Sequence, residues 1–303
     1  MELHRRGHRY RDAKTGVTLD TWFPKRETAP DTAVVRHCLA EKHGLVEGDQ
    51  VEVTIRHLDD RPASTEDVWL RLHLLSERSV TPNGLNLDGV FDLLTIVAWT
   101  SAGPVLPGKI DDLRTTVAAD YHHLIVFSVD KFPRMVDFVV PSGVRIGDAD
   151  RVRLGAHLGS GTTVMHEGFV NFNSGTLGDA MVEGRVTPGV IVGRHSDVGA
   201  GSSIMGTLSG GGKTKNAIGE RSLLGANAGI GISLGDECIV EAGLYVTAGT
   251  KVRLPDGRVV AARELSGQSR LLFRRNSQTG SVEVLPTDAS RWGGLNTTLH
   301  TND

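Results

Sequence analysis

The sequence predicts a mainly β protein whose middle part is a left-handed parallel β-helix of hexapeptide repeats, preceded by an α/β domain and followed by a short β region. Two observations predict this fold. Of the 37 glycines in the 303 residues, 24 lie in residues 141–250. In the same stretch a valine, isoleucine or leucine recurs at every sixth position. A period of six fits neither an α-helix nor a simple strand, whereas three hexads make one turn of a triangular coil.

Residues 1–138 are predicted to form the α/β domain. Ser64, followed by Glu66 and Asp67, opens a helical pattern that runs to Leu75, with the character of a capping box. Residues 88–99 predict a second helix, whereas residues 51–55 and 124–127 predict strands.

Residues 139–255 carry the hexads. The recurring apolar side chain is expected to point into a narrow core, and the small residue after it to occupy a corner. Stacked turns bury one continuous column, whereas a single turn would be unstable. The first frame holds Val140, Ile146, Val152, Leu158, Val164 and Val170, and after a slip of four the second holds Val186, Val192, Val198 and Ile204. Later frames hold Ile218, Leu224 and Ile230, then Leu234, Val240, Val246 and Val252.

A glycine-rich break at residues 207–217 interrupts the coil and predicts a loop that projects outward. Its Gly-Gly-Gly-Lys-Thr string lacks the first glycine of a phosphate-binding loop, because residue 207 is threonine. Residues 256–303 predict a C-terminal β segment, with strands at 258–260 and 271–275 and a turn at 278–280.

Charge and composition argue against several classes of partner. There are 33 basic and 36 acidic residues, a net charge of −3, so no general basic excess is present to hold nucleic acid. No apolar run reaches the roughly 18 residues of a membrane span, and residues 1–6 lack the apolar stretch of a signal peptide. We therefore expect a cytoplasmic protein without nucleic-acid or membrane partners.

Longer motifs narrow the class of protein. Left-handed β-helices built on hexads occur in many acyltransferases that use a coenzyme A thioester, and less often in carbonic anhydrases and sugar-nucleotide enzymes. The chain contains five motifs that go beyond the repeated apolar residue: VMHEGFVNFNSG (164–175), MVEGR (181–185), SIMGTLSGGG (203–212), EAGLY (241–245) and LLFRRNS (271–277). In these motifs the chain resembles the tetrahydrodipicolinate N-succinyltransferases, in a pattern similar to the actinobacterial branch.

The resemblance implies a reaction and an assembly. Members of this family transfer succinyl from succinyl-CoA to the amine of ring-opened tetrahydrodipicolinate, giving N-succinyl-2-amino-6-oxopimelate and CoA in lysine and diaminopimelate biosynthesis. They are homotrimers with active sites between neighbouring coils. The alternative is a related hexapeptide-repeat N-acyltransferase that uses acetyl-CoA or a different amine.

The resemblance makes Glu183 the catalytic residue. It follows Val182 at a slip of the hexad frame, where a side chain can leave the regular coil surface. Two roles stay open from the sequence. Glu183 is either a general base that takes the amine proton or a nucleophile that attacks the thioester and forms an acyl-anhydride.

Coenzyme contacts transfer from the family position by position. Arg185 lies two residues after Glu183 and has a forked guanidinium suited to a carboxylate or the thioester end. The remaining predicted contacts to succinyl-CoA are Ala200, Ser203, Ala226, Glu241, Ala242 and Gly249, together with Arg274, Arg275, Asn276 and Ser277 at the phosphate end. Ala261 stands where a lysine can occur in this branch, which removes one phosphate-facing cation.

Asp150 and Glu167 form a separate carboxylate pair. They lie 17 residues apart, nearly one 18-residue turn, so they can stack on one face of the coil. In a trimer each carboxylate would occur three times around the axis and repel its copies, which a hard cation relieves. The resemblance places a metal here, Mg²⁺ or Ca²⁺, in a structural role. The alternatives are that both are exposed or that they share a proton.

Two other classes fit less well. A β-helical carbonic anhydrase needs three histidines around zinc, and His157, His166 and His195 do not have that family's spacing. An ice-binding scaffold needs a regular ladder of threonines, and none follows Thr162 and Thr163.

Overall fold

The computed structural model describes residues 2–25, 35–120, 122–211, 213–287 and 295. The chain divides into two compact units. The N-terminal unit comprises Met1–Val80 and Gly84–Pro133, and the coil unit comprises Thr81–Asn83 and Arg134–Asp303. No helix within the described ranges is long and apolar enough to cross a membrane.

The N-terminal unit combines two small antiparallel sheets with short helices. Strands β2, β1 and β3 form one sheet in that order, and β4 pairs with β5 in the other. The elements, in chain order, are β1 (Leu3–Asp12), β2 (Thr18–Trp22), α1 (Leu39–Lys42), β3 (Val46–Ile55), α2 (Thr65–Ser76), α3 (Val90–Leu93), β4 (Val97–Thr100), α4 (Ile110–Ala118) and β5 (Val126–Asp130). A 3₁₀ turn, Pro107–Lys109, precedes α4.

Helix α2 is the main helix of this unit and begins where the sequence predicts. The hydroxyl of Ser64 accepts a hydrogen bond from the amide of Asp67 at 3.2 Å, as an N-cap does. The helix is buried on almost every side from Asp67 onward. The predicted strand at 51–55 is also confirmed, because it lies within β3.

The predicted helix over residues 88–99 is wrong. Helical structure is limited to α3, and Leu94 is already extended at φ −89° and ψ 135°. Trp99 lies instead in β4, where its indole nitrogen donates to the carbonyl of Asp130 at 3.0 Å and its ring packs edge-on against Trp69. Pairing with β5 and burial of the indole outweigh local helix propensity. Strand β5 itself begins at Val126, two residues later than predicted.

The coil unit is a parallel β-helix with three faces, each made of short strands. The strands are β6 (Arg145–Ile146), β7 (His157–Leu158), β8 (Thr162–Val164), β9 (Phe169–Val170), β10 (Gly175–Thr176), β11 (Ala180–Val182), β12 (Arg185–Val186), β13 (Ile191–Val192), β14 (Ser196–Val198), β15 (Ser203–Ile204), β16 (Ala217–Ile218), β17 (Leu223–Leu224), β18 (Gly229–Ile230), β19 (Ile239–Val240), β20 (Tyr245–Val246), β21 (Lys251–Arg253), β22 (Val259–Ala261), β23 (Leu271–Arg275) and β24 (Val282–Pro286). One-turn 3₁₀ helices are Met135–Asp137, Ala149–Arg151 and Ala262–Leu265.

The three faces follow from the pairing of these strands. The first face consists of β7, β10, β13 and β16, and the third face of β9, β12, β15, β18 and β20. The second face runs from β6 through β8, β11, β14, β17 and β19 to β23. All of these pairs are parallel and in register. Each turn therefore contributes one rung to each face.

The hexad frame of the sequence is confirmed inside the coil. The recurring apolar residues from Val152 to Val252 are all buried, and together they form one continuous core. Val140 is the exception and the prediction there is wrong, because its side chain is 76% exposed. It precedes β6, the first rung, so no turn stacks over it. Ile146 in that first rung is half-buried.

The glycine-rich break is an outward hairpin, as predicted. Thr207 and Lys215 form an antiparallel bridge at its base, and the hydroxyl of Ser209 accepts a hydrogen bond from the amide of Ala248 at 2.6 Å. Gly210 and Gly211 are exposed. The hairpin leaves the coil without disturbing the rungs on either side.

The C-terminal segment extends the coil. Strand β23 pairs in parallel with β19 on the second face, with Phe273 beside Val240. It then turns back as β24, which also pairs with β21. The predicted strands of this segment are confirmed, and they add a further rung to the second face.

Candidate active site

A short corner between the second and third faces holds Glu183 and Gly184. Val182 before it and Val186 after it are fully buried and four positions apart, whereas the hexad requires six. Both amides of the corner donate to the carbonyl of Val198 on the next turn, at 2.8 and 3.1 Å. The slip of the hexad frame predicted at Glu183 is therefore present, and hydrogen bonds to the next turn hold the backbone there.

Gly184 makes this corner possible. A Cβ at Gly184 would lie 2.2 Å from the hydroxyl and 2.7 Å from the carbonyl oxygen of Ser202, which no real side chain tolerates. Sequence reasoning gave Gly184 no role. The signal that could have found it is a glycine directly after the candidate catalytic residue at a frame slip.

The carboxylate of Glu183 is half-buried and has no hydrogen-bond or ion-pair partner among the residues that the structure describes. Arg185 opens β12 and is exposed, whereas the next residue, Val186, points into the core. Because side chains alternate along a strand, Arg185 faces outward from the third face. In the described part of the chain no ion pair joins Glu183 to Arg185, so both side chains are available to a ligand.

On the two turns after Glu183 the same corner is occupied by glycine. We call the set Glu183, Gly199, Gly225, Glu241 and Arg274 the Glu183 corner, because each follows an inward residue of the second face. Their amides stack, with Gly199 donating to the carbonyl of Leu224 and Gly225 to that of Val240. A Cβ on Gly225 would lie 2.6 Å from the amide nitrogen of Ala242. Both glycines are buried, and they let the backbones of successive turns approach closely. No side chain stands on this corner between Glu183 and Glu241, and we call the strip of surface beside it the groove.

Three of the predicted coenzyme contacts form one row along this groove. Ala200, Ala226 and Ala242 each follow one residue of the Glu183 corner, and all three are exposed. Small side chains in such a row let an elongated ligand approach the backbone donors and acceptors closely.

A second row runs beside it on the outer surface of the third face. Arg185 lies next to Ser203 in β15, and Ser203 lies next to Gly229 in β18. Gly229 in turn is paired with Tyr245 in β20. The structure therefore brings Ser203 into register with Arg185, one rung above it.

The C-terminal arginines close one end of the groove. Phe273 takes the inward position of the last rung. Arg274 therefore continues the Glu183 corner, Arg275 continues the row of alanines, and both arginines are exposed. The carboxylate of Glu241 accepts a hydrogen bond from the amide of Arg275 at 2.7 Å. Glu241 thus fixes the backbone that carries these cations.

Asn276 and Ser277 lie in the turn that follows. The Asn276 side-chain oxygen accepts hydrogen bonds from the amides of Gln278 and Thr279, at 3.0 and 3.1 Å. It therefore shapes the turn, and Ser277 is exposed on it. Gly249 lies elsewhere, beyond β20, at the edge of the third face that is away from the Glu183 corner.

Asp150 and Glu167 are both exposed and have different partners. Asp150 lies 3.5 Å from Arg134 and Glu167 lies 3.7 Å from Arg151. Burial disfavours the charged form of Arg134, but its hydrogen bonds to Asp137 outweigh this and raise its pKa. Within the described residues no group of three or more potential metal ligands converges in a single chain.

The fold and the groove define a class of protein, the hexapeptide-repeat acyltransferases. A model described as the hexapeptide repeat of succinyl-transferase matches residues 215–248, and one described as the middle part of tetrahydrodipicolinate N-succinyltransferase matches residues 94–134. The 2,3,4,5-tetrahydropyridine-2,6-dicarboxylate N-succinyltransferase of Vibrio cholerae is 56% identical over 296 residues, which cover 96% of this chain and 84% of the relative. The chain belongs to the tetrahydrodipicolinate N-succinyltransferase family.

Two further comparisons agree with this family assignment. A Pseudomonas aeruginosa protein of the same name is 60% identical over 230 residues, covering 74% of this chain and 67% of the relative. A crystal structure of a proposed 2,3,4,5-tetrahydropyridine-2-carboxylate N-succinyltransferase from Campylobacter jejuni superposes with a TM-score of 0.80 at 29% identity, covering 93% of this chain and 91% of that one. The predicted left-handed parallel β-helix is confirmed. The similarity to the actinobacterial branch stays a prediction.

Proposed function

We propose that this protein transfers the succinyl group of succinyl-CoA to the amine of ring-opened tetrahydrodipicolinate, giving N-succinyl-2-amino-6-oxopimelate and CoA. The observation that carries the proposal is the Glu183 corner. It begins at Glu183, whose carboxylate has no partner among the described residues, continues over Gly199, Gly225 and Glu241, and ends at Arg274, with Arg275 beside it. A thioester at one end and phosphates at the other end of an elongated ligand match that order of groups.

The length of the groove supports a coenzyme A thioester. Four rungs separate Glu183 from Arg274, and at about 4.8 Å per rung they span about 19 Å. Thirteen bonds join the thiol sulfur of CoA to its first phosphorus, equivalent to about four extended residues or about 15 Å. A pantetheine arm with its succinyl group at Glu183 therefore brings the phosphates to Arg274 and Arg275.

Two reaction steps fit Glu183, and they differ in whether a covalent intermediate forms. As a base, the carboxylate takes a proton from the amine while nitrogen attacks the thioester carbon and the CoA thiolate leaves. As a nucleophile, a carboxylate oxygen attacks that carbon and expels the thiolate. The amine then attacks the succinyl carbon of the resulting anhydride, the bond from that carbon to the Glu183 oxygen breaks and the carboxylate leaves, and the CoA thiolate takes the amine proton. Arg185 would hold the free carboxylate of the succinyl group in either case.

The experiment measures free thiol released from succinyl-CoA, with and without tetrahydrodipicolinate, beside acetyl-CoA. We expect release that requires the amine and is specific to succinyl-CoA. The variant Glu183→Gln should lose at least about a hundredfold in kcat. The control Glu220→Gln, at another corner of the coil, should keep full activity. Wild-type turnover by a folded Glu183→Gln variant would disprove both roles.

Mass spectrometry separates the two steps. The enzyme is mixed with succinyl-CoA in the absence of amine, quenched in acid and digested. A gain of one succinyl group on the peptide that contains Glu183 supports the nucleophilic step. An unmodified peptide, from an enzyme that turns over, supports the base.

We also propose that the active assembly is a homotrimer. The alanine row beside the groove and the two arginines at its end are exposed in one chain, so a second wall from a neighbouring chain would enclose the coenzyme. Around the threefold axis, the exposed carboxylates of Asp150 and Glu167 would supply the oxygen ligands that Mg²⁺ or Ca²⁺ prefers. We further propose that the enzyme is cytoplasmic.

Sedimentation and elemental analysis test the assembly. We expect a trimer that carries a divalent cation, and loss of that cation in the double variant Asp150→Asn, Glu167→Gln. The control variant Asp256→Asn changes an exposed carboxylate elsewhere in the coil unit and should leave the metal content unchanged. A monomer with full activity would contradict the shared site, and unaltered metal in the double variant would contradict the axial cation.

A further inference from the structure

The hydroxyl of Ser202 is buried beside the short corner that carries Glu183. Ser202 is 2% exposed, and its hydroxyl has no hydrogen-bond partner among the residues that the structure describes. It points at Gly184, because a Cβ on that glycine would lie 2.2 Å from the Ser202 oxygen. The oxygen is therefore within about 3.7 Å of the Cα atom of Gly184, next to the candidate catalytic residue.

Serines in the equivalent place on other turns are all paired. Like Ser202, which lies two residues before the inward Ile204, three further buried serines lie two residues before an inward side chain: Ser174, Ser196 and Ser222. Each of these three hydroxyls donates to a backbone carbonyl at 2.7–2.9 Å. Ser202 alone of the four lies against the short corner of Glu183 and Gly184.

An unpaired hydroxyl in this place lowers the stability of the coil. A buried polar group without a partner costs free energy that an apolar residue of nearly the same shape avoids. Ala228 takes the corresponding position of the next turn and is 2% exposed, so the coil accepts alanine there. A buried polar group that the fold does not need is typical of a functional site.

We propose that Ser202 is a positioning residue, whose hydroxyl donates a hydrogen bond to the carboxylate of Glu183 when the substrates are bound. The inference rests on the proposed function, because it takes Glu183 as the reacting group. Consecutive Cα atoms are about 3.8 Å apart, so the flexible side chain of Glu183 can bring its carboxylate over Gly184 to this hydroxyl. Hydrogen bonds of a catalytic group commonly tighten only when substrate is bound.

This hydrogen bond would orient the carboxylate in either reaction step. It holds one oxygen of Glu183, so that the other oxygen faces the amine proton or the thioester carbon. Without it, the side chain spends much of its time in orientations that do not react. Ser202 itself is buried beneath the corner and does not touch the coenzyme, so its loss should lower kcat and leave substrate binding unchanged.

The experiment compares Ser202→Ala with the matched control Ser222→Ala. We measure kcat, the KM for succinyl-CoA and the melting temperature of each. Ser202→Ala should lose about tenfold in kcat, as expected for one hydrogen bond to a charged group, with an unchanged KM and a melting temperature at or above that of the wild type. Ser222 donates to the carbonyl of Gly235 and accepts from the amide of Cys238, so Ser222→Ala should melt at a lower temperature and keep the wild-type kcat.

A double variant tests whether Ser202 acts through Glu183. Two substitutions that remove the same interaction do not add. Adding Ser202→Ala to Glu183→Ala, which has no carboxylate to orient, should therefore cause no further loss of kcat. A further tenfold loss in the double variant would show that Ser202 acts elsewhere and would overturn the inference.

Two other results would also overturn it. They are a wild-type kcat in folded Ser202→Ala, and a melting temperature of Ser202→Ala below that of the wild type, which would show that the hydroxyl supports the fold. The kcat is measured with the thioester that the wild type uses, so an enzyme that prefers acetyl-CoA contradicts the proposed function and still tests Ser202. A wild type that releases no thiol from either thioester contradicts the proposed function and, with it, this inference.

Discussion

The two units of the chain bury polar groups in different ways. The N-terminal unit buries charged or ionisable side chains, among them Asp20, Asp67, Arg71 and His73. In the coil unit the buried polar side chains of the described residues are hydroxyls, one histidine and one amide. Repetition explains the difference. Identical rungs satisfy the backbone of the coil by themselves, whereas an irregular α/β unit uses buried ion pairs and hydrogen bonds to fix its arrangement.

The largest effect that this comparison predicts is in the coil. Gly175 has φ +150°, and a Cβ there would lie 1.8 Å from the carbonyl oxygen of His157 on the neighbouring rung. We expect Gly175→Ala to reduce the free energy of unfolding of the coil by more than about 4 kcal/mol. Thermal and urea unfolding measure this change. The matched control is Gly108→Ala in the N-terminal unit, where a Cβ would meet nothing within 4 Å. Equal stability of the two variants would contradict the rung-to-rung contact.

A smaller effect is expected from the buried ion pair of the N-terminal unit. Arg71 Nε lies 2.7 Å from Asp67 Oδ1, with both side chains more than nine-tenths buried, and Arg71 also donates to the carbonyls of Leu58 and Asn86. We expect Asp67→Ala to reduce the free energy of unfolding by about 3–5 kcal/mol, because it leaves a buried guanidinium uncompensated.

A double variant and a surface pair sharpen this test. Asp67→Leu combined with Arg71→Met should recover most of the stability, because the charge is removed together with its partner. Arg258→Ala breaks an exposed ion pair of the coil unit with Asp256 and should leave the unfolding curve unchanged. A double variant as unstable as Asp67→Ala would show that the loss comes from packing rather than from the unpaired charge.

The same contrast explains how much of the fold could be predicted from the sequence. The hexads fixed the inward residues of the coil because one period repeats over many turns. Thr176 and Val182 continue the hexads from Val170 up to the slip at Glu183. Thr176 is polar, however, so it interrupts the pattern of apolar residues in the sequence. It is buried as an inward residue, with its hydroxyl 2.6 Å from that of Thr162. The predicted helix over residues 88–99 was wrong because contacts with residues distant in sequence hold Trp99 in a strand.

For the candidate site, the sequence identified the residues but not their arrangement. Motifs led to Glu183 and the two arginines, and the structure aligns them along one corner. The sequence could not show that Ala200, Ala226 and Ala242 share a row, because the hairpin after Thr207 and the four-residue step from Ile230 to Leu234 shift their spacing. Nor could it show Tyr245 against Gly229, since that contact depends on strand register.

The smallest of the three effects is a pH dependence confined to the N-terminal unit. His73 is completely buried, with Nδ1 donating to the carbonyl of Trp69 at 2.7 Å and Nε2 accepting from the amide of Phe23 at 3.3 Å. Burial lowers the pKa of His73 to about 4, although its hydrogen bond to Trp69 opposes this. The folded protein therefore keeps the ring neutral, whereas the unfolded chain takes up a proton near its ordinary pKa of 6.5.

The stability that His73 contributes is thus present above pH 6.5 and is lost as the pH falls towards 4. By pH 4 the loss should reach about 3 kcal/mol, since each unit of pKa difference corresponds to about 1.4 kcal/mol. Hydrogen exchange of the α2 amides between pH 4.5 and 7 measures the effect in the wild type and in His73→Gln, which should lack that part of the pH dependence. His195→Gln, an exposed histidine of the coil, is the control and should behave as the wild type. If His73→Gln and the wild type follow the same curve, proton uptake by His73 does not govern the acid stability of this unit.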